Sequence, residues 1–367
     1  MAPILSHQPL KALATLLLVA SAPPYLAVLS LFYAAKRCRP VPGWSLKTAI
    51  GNEWLRLFYL YATKVHLRPF SASASKLKER YVLAPPGPAD LYTGILREAG
   101  GIKPCAMPAI WFPGPPPTDT TERKTCKVVM HLQGGAFVTA TDPAETGKLP
   151  AKIFESKLGA KTFYAQYRLA RTEASRFPAA VQDAVSFYRY VLDQGVEARN
   201  VVLSGDSAGA NIVVGLLRYI EDSRVLPVPR GAMLWSPWVD VSDAVLSRYG
   251  QSKSLRVDFL GLGLLRWGKD AYEPASASEE SERYLRPVEH AFRSKTPVFV
   301  NAGTAELLYD EVGVFVERMQ AVEGNQVCFV ETKDAPHDVL VAGTFTGFVE
   351  EAEEAAGKAR EFFDRCG

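Results

Sequence analysis

From about residue 126 onward, short apolar runs alternate with stretches of helical periodicity. That rhythm constrains the fold more than any other feature of the chain. Apolar runs of about 4–8 residues read as strands buried on both faces, and the helices between them supply the crossovers that parallel strands need. Residues 128–132 predict a strand, 148–158 a helix, 162–167 a strand, and 178–194 a helix with proline in its first turn. Strand 200–204, helix 208–220, strands 232–235 and 298–302, helix 310–322, strand 327–331 and a final helix 345–363 complete the series. The pattern predicts an α/β fold with a mostly parallel central sheet flanked by helices. The stretch 242–295 interrupts it and is expected to form a helical cap over the carboxyl ends of the strands, where ligands bind in open sheets of this kind.

Between predicted strand 200–204 and predicted helix 208–220 stands Gly205-Asp206-Ser207-Ala208-Gly209. A G-x-S-x-G sequence in that setting is a nucleophile elbow, a sharp turn that lifts the serine above the sheet at a helix N-terminus. Serine needs a base. Of the five histidines, His7 and His66 precede the sheet, His131 lies inside the first core strand and His290 in the insertion. His337 follows the last core strand, as the order Ser, acid, His requires. Glu306 and Asp310 both follow strand 298–302. Glu306, nearer the strand end, is assigned to orient the imidazole. Asp310, the alternative acid, is assigned to cap the next helix. The N–H of Ala208 and those of the loop Gln133-Gly134-Gly135-Ala136-Phe137 are placed to bind a tetrahedral oxyanion.

The N-terminal part differs. Residues 12–35 carry no charge and are long enough to span a bilayer core, although Pro23 and Pro24 would kink a helix there. Lys36, Arg37 and Arg39 follow, which favours a cytosolic catalytic domain on a membrane such as the endoplasmic reticulum. A re-entrant or interfacial anchor, a signal peptide and a buried cap helix are the other readings. The expected organisation is an anchor over 1–40, a helix at 45–68 and lead-in strands within 41–125, and a catalytic domain over 126–367. The chain has 367 residues, 48% hydrophobic, with net charge +3, too small to suggest nucleic acid. Its five cysteines show no metal-ligand spacing and read as free thiols.

Taken together, Gln133-Gly134-Gly135-Ala136, Asp206-Ser207-Ala208-Gly209, the stretches 167–170, 177–180 and 236–238, and the loop holding Gly303, Glu306 and Leu308 resemble the hormone-sensitive-lipase-like family of α/β-hydrolases. The likeness runs over roughly 125–345 and is greatest to fungal microsomal and biosynthetic-cluster members. It implies the α/β-hydrolase fold and a serine esterase, acetyl-hydrolase or lactonase that uses no metal or cofactor. It also implies that Gly135 and Ala136 are the loop donors of the oxyanion hole. The sequence departs from the family at Gln133, where the family has His, at Glu306, where it usually has Asp, and at Arg171, where it usually has Pro.

The expected reaction is cleavage of a hydrophobic carboxylic ester, such as an acetylated sterol or secondary metabolite, through an acyl-enzyme. Acyl transfer or base-catalysed condensation or cyclisation on the same site is the alternative. A ligand-binding receptor is a third reading. Leu255, Phe259 and Trp267 in the insertion are candidates for the pocket wall or for ordinary helix packing.

Overall fold

The computed structural model describes residues 3–97 and 101–366. Residues 1–2 of the expected anchor and 98–100 of the expected lead-in region lie outside them. Eight strands form one sheet in the order β1-β2-β4-β3-β5-β6-β7-β8. They are β1 (Tyr81–Ala84), β2 (Met107–Phe112), β3 (Val128–Leu132), β4 (Lys161–Ala165), β5 (Val201–Asp206), β6 (Gly231–Trp235), β7 (Val298–Gly303) and β8 (Val327–Thr332). β1 and β2 pair antiparallel, as do β2 and β4, and every later pairing is parallel. The antiparallel edge comes from the lead-in region, and the parallel part is the predicted α/β alternation.

Helices cover both faces. Lys148–Leu158 and Val349–Cys366 bury Ile153, Phe154, Ala356 and Phe363 against one side. Ala179–Asp193, Ser207–Ser223 and Tyr309–Gln320 pack Val185, Phe187, Ile212 and Phe315 into the larger core on the other. The expected final helix is in fact two, Val339–Thr346 and Val349–Cys366. The break falls at Gly347, whose φ of 82° gives the first helix a left-handed C-terminus.

The N-terminal segment forms α1 (Leu10–Tyr33), one helix that continues through Pro23 and Pro24. Next comes α2 (Leu46–Lys64), N-capped by Ser45, whose Oγ accepts from the Thr48 N–H at 3.0 Å. α2 runs antiparallel to α1. The Thr15 and Tyr61 hydroxyls bond at 2.6 Å near one end, and Tyr33 packs with Trp44 and Ala49 near the other. α2 also lies against Val339–Thr346 and the insertion, whose Val257 carbonyl accepts from Asn52 Nδ2 at 2.8 Å. The insertion contributes Asp243–Tyr249, Leu262–Tyr272 and Glu279–Leu285. Of these, Leu262–Tyr272 packs on α2, whereas Glu279–Leu285 packs on Ser207–Ser223.

One very close approach in the fold is between β3 and the helix after β5. A Cβ on Gly209 would stand 2.1 Å from the Leu132 carbonyl oxygen and 2.5 Å from that of Gln133, both rigid backbone atoms. Gly209→Ala is therefore expected to destabilise the protein by roughly 1–3 kcal/mol, the usual cost of overpacking. Urea unfolding of wild type and variant checks it, and an unchanged midpoint would show that this contact has slack.

Candidate active site

Ser207 begins its helix directly from β5 with a φ of 50°. That left-handed conformation costs a residue with a Cβ about 1–2 kcal/mol, and it persists because the strand and helix on either side fix it. Ser207 lines a cavity of about 590 Å³ together with Gly135, Ala136, His337 and Asp338. The rest of the wall is mainly apolar: Leu55, Phe58 and Tyr59 from α2, Phe259, Leu260, Leu264 and Leu265 from the insertion, and Val341 and Ala342 beyond His337.

His337 is buried on the loop between β8 and Val339–Thr346. Its Nδ1 lies 3.6 Å from Glu306 Oε2, an ion-pair contact slightly longer than a hydrogen bond. Burial works against the imidazolium, but the carboxylates of Glu306, Asp258 and Asp338 outweigh it and raise the His337 pKa to about 9. Glu306 is held in turn by Ser236, whose Oγ donates to Oε2 at 2.5 Å and accepts from the Asp338 N–H at 2.9 Å. Asp310 is exposed in the first turn of Tyr309–Gln320. It does not cap that helix as expected, because the cap position is Leu308 and no side chain bonds the free N–H groups. Of the two acids, only Glu306 is brought to the histidine.

The loop after β3 passes beside Ser207 in an unusual backbone. Gly135, Ala136 and Phe137 have φ of 106°, 50° and 64°. A Cβ at Gly135 would meet the Thr139 carbonyl oxygen at 2.1 Å, so the position requires glycine. Neither the Gly135 nor the Ala136 N–H has an acceptor among the described residues. The Ala208 N–H lies in the first turn of its helix, where no intrahelical acceptor exists. The neighbouring Gly134 N–H is already committed, donating to Asp206 Oδ2 at 2.8 Å.

Sequence reasoning missed four supporting residues. Asp258, in the insertion, accepts from the N–H groups of Leu307 at 2.8 Å and His337 at 3.2 Å, fixing the acid and base loops together. Ser236 and Asp338 act as described. His131, set aside as a strand residue, places its Nε2 3.0 Å from Asp206 Oδ1 and its Nδ1 3.0 Å from Ser204 Oγ. Burial keeps that ring neutral, with its pKa lowered to about 4. Burial also raises both Asp206 and Asp338, Asp338 the more strongly beside the Asp206 charge, so this pair holds a proton that two exposed carboxylates would lose. The β3–β5 register that pairs His131 with Ser204 was the available signal, and it appears only once the strands are aligned.

Of the insertion residues proposed for the pocket, Phe259 lines it and meets the His337 ring edge-on at 5.7 Å. Leu255 packs against the core, and Trp267 faces away, stacked on His66 at 3.9 Å. Arg171 places its guanidinium 5.0 Å over the same indole and donates to the carbonyls of His66, Leu67 and Val138. Among the described residues, the five cysteines are unpaired and no group of three or more His, Cys, Asp or Glu is arranged to hold a metal ion.

A parallel sheet with a strained serine elbow and a histidine beyond the last strand defines an α/β hydrolase. The chain belongs to the alpha/beta hydrolase fold family, whose model matches residues 129–341, more than half of its length. It is 28% identical over 215 residues to an acetyl-hydrolase of Streptomyces hygroscopicus, covering 59% of this chain and 69% of that protein. It is 23% identical over 200 residues to an esterase of Acinetobacter venetianus, covering 54% of this chain and 62% of that protein. Among solved structures, a hormone-sensitive lipase from a metagenome library superposes with a TM-score of 0.55 at 25% identity, over 71% of this chain and 83% of that one.

If His337 acts as a base, it must be neutral. Activity should then rise with pH through a value near 9. Asp258→Asn removes one negative charge facing the imidazolium and is expected to move that limb to lower pH by up to about one unit. A kcat/KM–pH profile of both proteins checks the sign. A limb that stays in place or moves to higher pH would remove Asp258 from the electrostatics of the site.

Proposed function

We propose that the chain is a carboxylic ester hydrolase acting through an acyl-enzyme on Ser207. The observation that carries this is the single cavity shared by the strained Ser207, the free N–H groups of the 135–136 loop, and His337 backed by buried Glu306. His337 takes the Ser207 proton as Oγ attacks the ester carbonyl. The N–H groups of Gly135, Ala136 and Ala208 hold the oxyanion, each such donor being worth roughly 3–4 kcal/mol. Glu306 fixes the imidazole tautomer and stabilises its cation. The imidazolium protonates the departing alcohol, and His337 then deprotonates the water that frees the acid.

The apolar wall supports an ester with a bulky hydrophobic portion, and an acetylated sterol or secondary metabolite is the specific reading. The name of the Streptomyces relative favours acetyl as the acyl group. Acyl transfer would use the same steps with a different acceptor, and product analysis separates the two.

The test is labelling by a fluorophosphonate together with p-nitrophenyl acetate turnover. Wild type is expected to show both and Ser207→Ala neither. His337→Ala should lose turnover by at least about 10³-fold, and Glu306→Gln should fall on the order of 10⁴-fold. Asp310→Asn should stay within about twofold of wild type, as for a surface change. A wild type that neither labels nor turns over would refute the proposal.

A further inference from the structure

α1 is apolar all round, yet it does not project from the domain. Ala14, Thr15, Leu18, Ala22, Leu26, Leu29 and Tyr33, recurring at helical spacing, form its more buried stripe and face α2. The rest of the surface is bare: Leu16 is 67% exposed, Val28 65% and Leu31 80%, with Leu13, Leu17, Val19 and Phe32 beside them. A helix bound along its length to α2 cannot cross a bilayer without taking α2 with it. α2 carries Lys47, Glu53, Arg56 and Lys64, and charges are costly in hydrocarbon. The geometry fits a helix lying in the membrane plane with its bare face in the acyl region.

The cavity mouth shares that face. Trp54 and Phe58 line the cavity from α2, and Trp54 is 40% exposed at its rim. Two turns beyond Trp54 on the same helix, Tyr61 bonds Thr15 of α1. On the other side of the mouth Phe345 is 48% exposed, and Phe348 just after it packs with the Tyr33–Trp44 cluster where α1 ends. The segment opposite contributes Thr141, Asp142, Glu145, Thr146 and Leu149, a more polar lining in which Glu145 is paired with Lys148 at 2.6 Å. The apolar side of the opening is therefore the side next to α1.

Cations lie near both ends of α1. Exposed Lys36 and Arg37 follow α1. Near its start a groove of about 780 Å³ is lined by Lys11, Lys64, Arg68 and Arg266. None of these four makes an ion pair among the described residues. Glu173 and Asp270 also line the groove but are matched to Arg176 and Lys269. An apolar strip between basic ends complements an anionic lipid surface, hydrocarbon below and phosphates beside it.

We propose that α1 lies flat in one leaflet of an anionic bilayer and seats the cavity mouth on it, so that the ester reaches Ser207 from the lipid rather than from water. This rests on the esterase reading for its chemistry but not for the membrane surface. The experiment uses the full chain with phosphatidylcholine vesicles, alone or mixed with phosphatidylglycerol. Wild type should bind the mixed vesicles, and Arg68→Glu/Arg266→Glu should weaken that binding.

Leu16→Glu/Leu31→Glu should lower binding, and turnover of a long-chain ester dissolved in the vesicles, by roughly tenfold or more. The same variant should keep p-nitrophenyl acetate turnover in solution within about twofold, since both side chains are surface-exposed. A wild type that stays off mixed vesicles, or equal loss of both activities in the leucine variant, would overturn the proposal. So would protection of an N-terminal tag inside sealed vesicles, which would show a span. Vesicle binding without turnover of either ester would refute the esterase reading and leave the membrane surface standing.

Discussion

The turn from β5 into the Ser207 helix sets the position of everything else in the site. It works because Gly209 lets that helix press against the Leu132 and Gln133 carbonyls. The same contact brings the loop after β3 alongside the serine, with Gly134 tied to Asp206 and Gly135 and Ala136 left with free N–H groups. Strain at Ser207 is one consequence, since the left-handed residue sits between two elements buried enough to hold it.

Around His337 the dominant fact is buried negative charge. Glu306, Asp258 and Asp338 all act on one imidazole, and each would be costly to bury alone. The protein meets that cost with specific donors: Ser236 on Glu306, the Leu307 and His337 N–H groups on Asp258, and the Val341 N–H on Asp338. The arrangement favours the protonated form of the His337 imidazole. The neighbouring Asp206–Asp338 pair avoids full charge by retaining a proton, and His131, kept neutral by burial, bonds it without adding charge.

What could be read from the sequence was whatever is local in the chain. The strand–elbow–helix signal at 200–220 and the histidine after the last strand depend on residues a few positions apart, and the structure has a strand at Val201–Asp206, a helix at Ser207–Ser223 and His337 after the last strand. The choice of Glu306 over Asp310 was also local, since one ends a strand loop and the other enters a helix. Asp258, Ser236 and His131 were illegible for the opposite reason. Their partners lie 79, 70 and 75 residues away. No periodicity encodes such pairings. For Trp267 the pocket wall and ordinary packing stay open in the sequence, because apolar spacing on a helix cannot say which neighbour the indole meets, and here it meets His66 and Arg171.

α2 links these two levels. Its inner face stacks Tyr59 on Phe259, and Phe259 in turn touches the His337 ring, so the helix helps hold the aromatic wall of the cavity. Its outer face carries α1. α1 is tied to the surroundings of His337 both through α2 and through the Tyr33–Trp44 cluster, which includes Val257 and Ala305, the sequence neighbours of Asp258 and Glu306, and α2 also supplies part of the cavity's apolar wall. The N-terminal helices therefore belong to the architecture of the site as much as the sheet does. A domain cut at residue 126 would keep the elbow and lose one side of its pocket.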